Sequence, residues 1–282
     1  MLTVQVITGP AAMSAWSEAA RARGERIAFV PTMGALHAGH LSLLSAARER
    51  GDRVVLSIFV NPTQFGPNED LARYPRDLDG DLAKAASVGI DVAFVPAASD
   101  MYPPGSQTSI EVGEVAQGLC GGRRPGHFTG VATVVCKLFG IVRPHLAIFG
   151  EKDYQQLAVI RRMALDLNLP VEIAGRPTLR EQDGLAMSSR NAYLSPDQRA
   201  RALAIFEGLS AARGRFQAGE RAAAELVGVA LAKLEGRADR IDYVEVRDAD
   251  SLRPLERLGA PAVMLIAAYV GATRLIDNMR LG

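Results

Sequence analysis

The chain has 282 residues, 48% of them hydrophobic, with 32 basic and 31 acidic side chains and a formal net charge of +1. That length supports one large domain or two smaller ones around an ample core. The balanced charge excludes a general attraction to nucleic acid or a membrane surface, so a charged ligand must be met by a local cluster. Two cysteines, Cys120 and Cys136, are too few for a disulfide framework or a zinc cage and point to a reducing, cytoplasmic setting.

At the N-terminus, Met1-Leu2-Thr3-Val4-Gln5-Val6 has no basic segment ahead of a long apolar one, and no run approaches the ~18 apolar residues of a spanning helix. Neither a targeting signal nor a membrane partner is expected. Short apolar runs then alternate with helical patterns. Strands are predicted over 27–30, 54–60, 92–95 and 146–149, with helices from about 40, near 78–87, buried over 129–142, and from about 153 to 167. That order predicts an α/β fold, a Rossmann-like parallel sheet flanked by helices, with ligands beyond the carboxyl ends of the strands. Residues 102–124, rich in Gly and Pro, read as a mobile loop around a short strand and turn. After about residue 184 the pattern changes to two helices within 196–234, joined near 214–219, and strands over 241–246 and 263–270. We divide the chain into a catalytic domain, 1–184, and a smaller C-terminal α+β domain, 185–282, closing over the site.

Three strand ends on one rim of the sheet carry turn-rich polar segments. The first is Pro31-Thr32-Met33-Gly34-Ala35-Leu36-His37-Ala38-Gly39-His40. Its glycines let backbone approach a ligand, the following helix would aim N–H groups at an anion, and its two histidines suit donation to phosphate oxygens. The second, Asn61-Pro62-Thr63-Gln64-Phe65, and the third, Gly150-Glu151-Lys152-Asp153-Tyr154-Gln155-Gln156, follow later strands. Lys152 suits phosphate as a point charge, Asp153 is placed to cap a helix, and Gln64 and Gln156 suit a hydroxylated substrate. Met187-Ser188-Ser189-Arg190-Asn191, at the proposed domain junction, offers two hydroxyls and a guanidinium fork to a phosphate. His127, in Arg124-Pro125-Gly126-His127, is a weaker candidate. The chain has no Walker-type loop, nucleophile elbow or His-Glu-x-x-His zinc motif.

His37-Ala38-Gly39-His40 is similar to the His-x-Gly-His signature of the nucleotidyltransferases that include class I aminoacyl-tRNA synthetases. With 61–65, Tyr74-Pro75-Arg76, 150–156 and 183–191 in the same order, the whole chain resembles the bacterial pantothenate synthetase family. The resemblance implies an ATP-dependent ligase that joins pantoate to β-alanine through an enzyme-bound pantoyl adenylate, releasing AMP and diphosphate. It implies that ATP is a substrate bound by Met33, Gly34, Ala35, Leu36, His37, Ala38, Gly39, His40, Gly150, Glu151, Lys152, Asp153, Leu179, Met187, Ser188, Ser189 and Arg190. His40, His37, Lys152 and Arg190 would be catalytic, Gln64 and Gln156 would hold pantoate with Gln64 near β-alanine, and Asn61, Arg124 and His127 would complete the substrate pocket and the loop over it. Mg2+ would be carried by the ATP phosphates, Asp81 being a possible ligand, and a homodimer is implied. The rival readings are a related nucleotidyltransferase acting on another acceptor, which calls for more cations near Gln64 and Gln156, and a nucleotide sensor without turnover. A tRNA-charging fragment is disfavoured by the neutral charge.

Overall fold

The computed structural model describes residues 4–67, 69–259 and 261–282; Met1 to Thr3, part of the stretch read as lacking a targeting signal, lie outside them. Six parallel strands form the main sheet in the order β1-β4-β3-β2-β5-β6: β1 (Gln5–Ile7), β2 (Ile27–Thr32), β3 (Arg53–Ile58), β4 (Val92–Phe94), β5 (Leu146–Gly150) and β6 (Glu172–Arg176). The helices that wrap it are α1 (Pro10–Ala22), α2 (Ala38–Arg48), α3 (Leu78–Ser87), α4 (Ala98–Met101), α5 (Leu119–Arg123), α6 (His127–Val142) and α7 (Tyr154–Asp166). The alternation of the strands explains the layers. Along β2, Ile27 and Phe29 enter the core shared with α6 and α7, while Ala28 and Val30 enter the core under α2. Both faces are covered, which is why these strands read as continuous apolar runs.

The strand order reverses between β2 and β5, which pair at Ala28 with Leu146 and Phe29 with Ala147. A crevice opens beyond the carboxyl ends of strands at such a switch point. Two of the polar segments singled out in the sequence leave from this place.

Two further helices, α8 (Pro196–Gln217) and α9 (Ala223–Leu234), precede an antiparallel sheet of β7 (Arg240–Asp248), β8 (Ala262–Val270) and β9 (Thr273–Leu281). One face of β8, with Met264, Ile266 and Ala268, packs on α8 and α9; the other, with Val263, Leu265 and Ala267, joins the core of the main sheet. The sequence reading missed β1, β6, β9, α1 and the short α4. The strand expected within 102–124 is replaced by a short 3-10 turn, Glu114–Ala116, and by α5. There the buried Gln155 amide donates to the carbonyls of Val115, Gln117 and Gly118 and accepts the N–H of Cys120, so a helix side chain organises the segment in place of a hairpin.

Candidate active site

The turn after β2 is shaped from behind. Gly34 has φ +83°, and a Cβ there would meet Asp81 Oδ2 at 2.9 Å and Ile58 Cγ2 at 3.0 Å. Asp81, 1% exposed, accepts the N–H groups of Ala35 at 2.7 Å and Leu36 at 2.6 Å. Each of its oxygens thus holds one backbone N–H of the turn, and Asp81 does not line the crevice. Gly34, Ala35, Leu36 and Ala38 do not line the crevice. They set the path that brings His37 and His40 to it.

The N-terminus of α2 is closed by the histidines themselves, contrary to the expected open anion site. His37 Nδ1 accepts the Gly39 N–H at 3.1 Å, His40 Nδ1 accepts the His37 N–H at 3.3 Å, and the ring centroids are 4.1 Å apart. A backbone N–H on each Nδ1 assigns the proton of each neutral ring to Nε2. Burial, followed by the charge of Lys152, pushes the His37 pKa down to about 4; burial, followed by the neighbouring His37, pushes that of His40 down to about 3. Both imidazoles are neutral Nε2–H donors at pH 7.

A cavity of about 230 Å³ lies in front of them. Met33, Gly39, Asn61, Gln64, Gly150, Lys152, Asp153, Gln156, Leu179, Met187, Ser188, Ser189 and Arg190 line it together with the two histidines, drawing on all four motifs. Its inner wall is apolar, built by Phe59 and Phe149 with Val131, Val134, Val135 and Leu138 of α6. Asp153 is the one carboxylate lining the cavity among the described residues. It makes no side-chain bond at the head of α7, so it does not cap the helix as expected, and its Oδ2 lies 3.9 Å from Lys152 Nζ. Glu151 does not line the cavity; its carbonyl and that of Lys152 accept from Asn278 Nδ2 of β9 at 2.8 and 2.9 Å.

Arg190 is already paired. Its Nε and Nη2 meet Asp70 Oδ2 and Oδ1 at 2.9 and 3.0 Å, and its guanidinium lies 5.7 Å from the centre of the Tyr74 ring. Ser189 Oγ donates to the Ala35 carbonyl, and Ser188 Oγ accepts the Arg190 N–H. A neighbouring cavity of about 430 Å³ shares Lys152, Asp153, Ser188 and Arg190 with the first and extends to Arg73, Arg124 and Arg274.

Arg124 and His127 stand behind the first cavity. Arg124 is held by both oxygens of Glu69 at 2.7 and 2.6 Å and donates to His127 Nε2 at 2.9 Å, while His127 Nδ1–H donates to the Gln64 carbonyl at 2.8 Å. Both ring nitrogens of His127 are occupied, so it supports the Gln64 turn and leaves no donor for a ligand. The sequence reading missed Asp70, Glu69, Asn278 and the apolar wall. Asp70 and Arg190 are 120 residues apart, and no local pattern joins them.

The sequence matches the family described as Pantoate-beta-alanine ligase over residues 5–280. It is 58% identical over 270 residues to the pantothenate synthetase of Myxococcus xanthus, covering 95% of this chain and 92% of that one. It is 56% identical over 290 residues to that of Anaeromyxobacter dehalogenans, covering 100% of both. The fold is similar to the crystal structure of pantothenate synthetase from Thermus thermophilus, with TM-score 0.92, 44% identity, and 98% of this chain and 99% of that one covered. It is also similar to the pantoate-beta-alanine ligase of Francisella tularensis complexed with beta-gamma ATP and beta-alanine, with TM-score 0.80, 34% identity, and 98% and 97% covered. With its sheet switch point, paired histidines and four-motif cavity in the setting of these relatives, the chain belongs to the pantoate-beta-alanine ligase family.

Proposed function

We propose that the protein condenses (R)-pantoate with β-alanine at the expense of ATP, forming pantothenate, AMP and diphosphate through an enzyme-bound pantoyl adenylate. The observation that carries this reading is a single cavity with phosphate-binding donors on one side and an apolar wall flanked by two neutral amides on the other. The polar side, with His37, His40, Lys152, Ser188, Ser189 and Arg190, suits a triphosphate. Val131, Val134, Val135, Phe59 and Phe149 suit the two methyl groups of pantoate, with Gln64 and Gln156 for its hydroxyl and carboxylate oxygens. Leu179, whose carbonyl accepts the Met187 N–H, borders the adenine end.

In the first step a pantoate carboxylate oxygen attacks the α-phosphorus, and the bond to the diphosphate oxygen breaks. Charge grows on the α-phosphoryl oxygens and on the leaving group, where two neutral Nε2–H donors, the Lys152 ammonium and the Arg190 fork stabilise it in a partly buried setting. In the second step the uncharged amine of β-alanine forms a C–N bond at the acyl carbon, the C–O bond to AMP breaks with its electron pair leaving on the phosphate oxygen, and the proton shed by the nitrogen passes to solvent water. Mg2+, carried by the ATP phosphates, would supply charge neutralisation there. Asp153 is the one carboxylate on the cavity wall among the described residues.

The division into 1–184 and 185–282, the latter closing over the site, belongs to the same proposal. It is supported by the change from alternating strands and helices to a helix pair with an antiparallel sheet. A homodimer follows from the family resemblance, and a reducing cytoplasm is supported by the unpaired Cys120 and Cys136. Among the described residues no helix is long and apolar enough to cross a membrane. The test is pyrophosphate exchange into ATP with β-alanine omitted. Exchange that requires pantoate supports the acyl-adenylate step; folded, ATP-binding protein that shows none refutes it.

A further inference from the structure

Asn61 is 1% exposed, and its amide has one allowed orientation. Oδ1 accepts from the Thr63 N–H at 3.4 Å, from Thr63 Oγ at 3.0 Å and from Tyr102 Oη at 2.8 Å, while Nδ2 donates to the Gly130 carbonyl at 3.1 Å. A flipped amide would set carbonyl against carbonyl at Gly130 and N–H against N–H at Thr63. The second Nδ2 hydrogen points at Gln64, 3.2 Å away, so the Gln64 atom facing it must be the acceptor Oε1. That leaves Gln64 Nε2 on the cavity side, 3.0 Å from Met33 Sδ, a weak acceptor. Tyr102 itself does not line the cavity.

From this chain of bonds we propose that Tyr102 is a positioning residue for substrate binding: acting through Asn61 with Thr63, it fixes the polarity of the Gln64 amide so that Gln64 presents N–H donors to an oxygen-rich acid. The inference rests on the ligase reading above and adds to it a reason why Gln64 selects lone-pair oxygens. With Oε1 turned to Asn61 and Nε2 on the cavity side, Gln64 faces the substrate with N–H donors, and a substrate bearing an N–H or ammonium group at this point meets a donor in place of an acceptor and is disfavoured.

The experiment measures kcat and KM for pantoate and for ATP in wild type, in Tyr102→Phe and in the double variant Thr63→Val/Tyr102→Phe. Phenylalanine keeps the ring packing against Phe59, centroids 6.4 Å apart, and lies under Lys137, so the single variant removes only the hydroxyl. The expected result is a KM for pantoate raised about threefold in the single variant and about tenfold in the double, with kcat and KM for ATP unchanged. Loss of folded protein would lower kcat for both substrates and leave both KM values alone; that pattern, or a wild-type KM for pantoate in the double variant, overturns the proposal. Wild-type protein that binds ATP yet shows no pantoate-dependent exchange would overturn the ligase reading instead, and with it the relay.

Discussion

Gly130→Ala tests how closely the substrate loop is seated on α6. A Cβ at this position would lie 2.4 Å from the Thr63 carbonyl oxygen, 2.6 Å from its carbon and 2.8 Å from the Gln64 nitrogen, all of them backbone atoms. Ordinary contact is near ~3.5 Å, so the turn must retreat by roughly 1 Å, taking Gln64 with it. Alanine gains about 1 kcal/mol over glycine in a helix interior, against an overpacking cost of about 1–3 kcal/mol, so the net loss of stability is small, from about 0 to 2 kcal/mol. Activity is far more sensitive, because a displacement of ~1 Å in a substrate-positioning group costs ~10²-fold. We therefore expect kcat/KM for pantoate in the exchange assay to fall about 100-fold while the thermal melt moves by a few degrees at most. Gly140→Ala on the same helix is the control: its Cβ meets nothing within 4 Å, so it should keep wild-type kinetics and gain stability. Wild-type kcat/KM in Gly130→Ala would refute the close seating of the loop.

Three further outcomes follow from the site. His40→Ala should slow pantoate-dependent exchange by ~10²-fold or more, as for the loss of a transition-state donor, and an unchanged rate would remove His40 from the assigned role. Asp70→Asn keeps the shape of the Arg190 partner but drops its charge, so ATP phosphates should win the guanidinium more easily and KM for ATP should fall about fivefold; a rise would mean that Asp70 holds Arg190 in its working position. His127 has its pKa pushed from 6.5 to about 4 by burial and then by Arg124, so between those values the unfolded chain takes up a proton that the folded one refuses. Its stabilising contribution is complete above the unfolded value and is lost as pH falls through this window, by up to about 1.4 kcal/mol per pH unit; urea melts of His127→Gln should show a shallower acid loss, and parallel curves would contradict the assignment.

Legibility in the sequence followed the locality of the cause. The predicted α3 matches the observed Leu78–Ser87, and the runs at 27–30 and 146–149 became β2 and β5, because their apolar pattern and flanking turns are set within a few residues. The motifs at 33–40, 61–64, 150–156 and 187–190 converge for the same reason: each sits at the end of its own strand or at a turn. What was hidden depends on long-range pairing. β9 carries Arg274, Asp277, Asn278 and Arg280, polar residues that mask a strand until it is paired with β8. Yet Asp277 takes both arms of Arg180, at 2.5 and 3.0 Å, and Asn278 holds the Glu151–Lys152 turn, so this strand fixes two sides of the site. The role of Asp81 was likewise invisible, since its partners Ala35 and Leu36 contribute only backbone N–H groups.

The same distribution of contacts bears on which side of the proposed closure would move. The C-terminal sheet is joined to the first core by Tyr243, Val263, Leu265 and Ala267, and separating that contact exposes apolar area at about 25 cal/mol per Å² with nothing to replace it. The contacts between the 69–76 and 188–193 segments are instead polar: Asp70 with Arg190, and Tyr193 Oη with the Arg73 carbonyl at 3.0 Å. Ser189 likewise reaches the Ala35 carbonyl. A triphosphate offers oxygens of the same chemistry to Arg190, Ser188 and Ser189, so these bonds can be exchanged at little net cost. If 185–282 closes over the nucleotide as proposed, its edge at Ser188–Tyr193 would lead, with the apolar sheet contact as the fixed side. On the proposed function, the Arg190 charge offered to ATP would be the one now held by Asp70, so nucleotide binding would be coupled to the wall that the two cavities share.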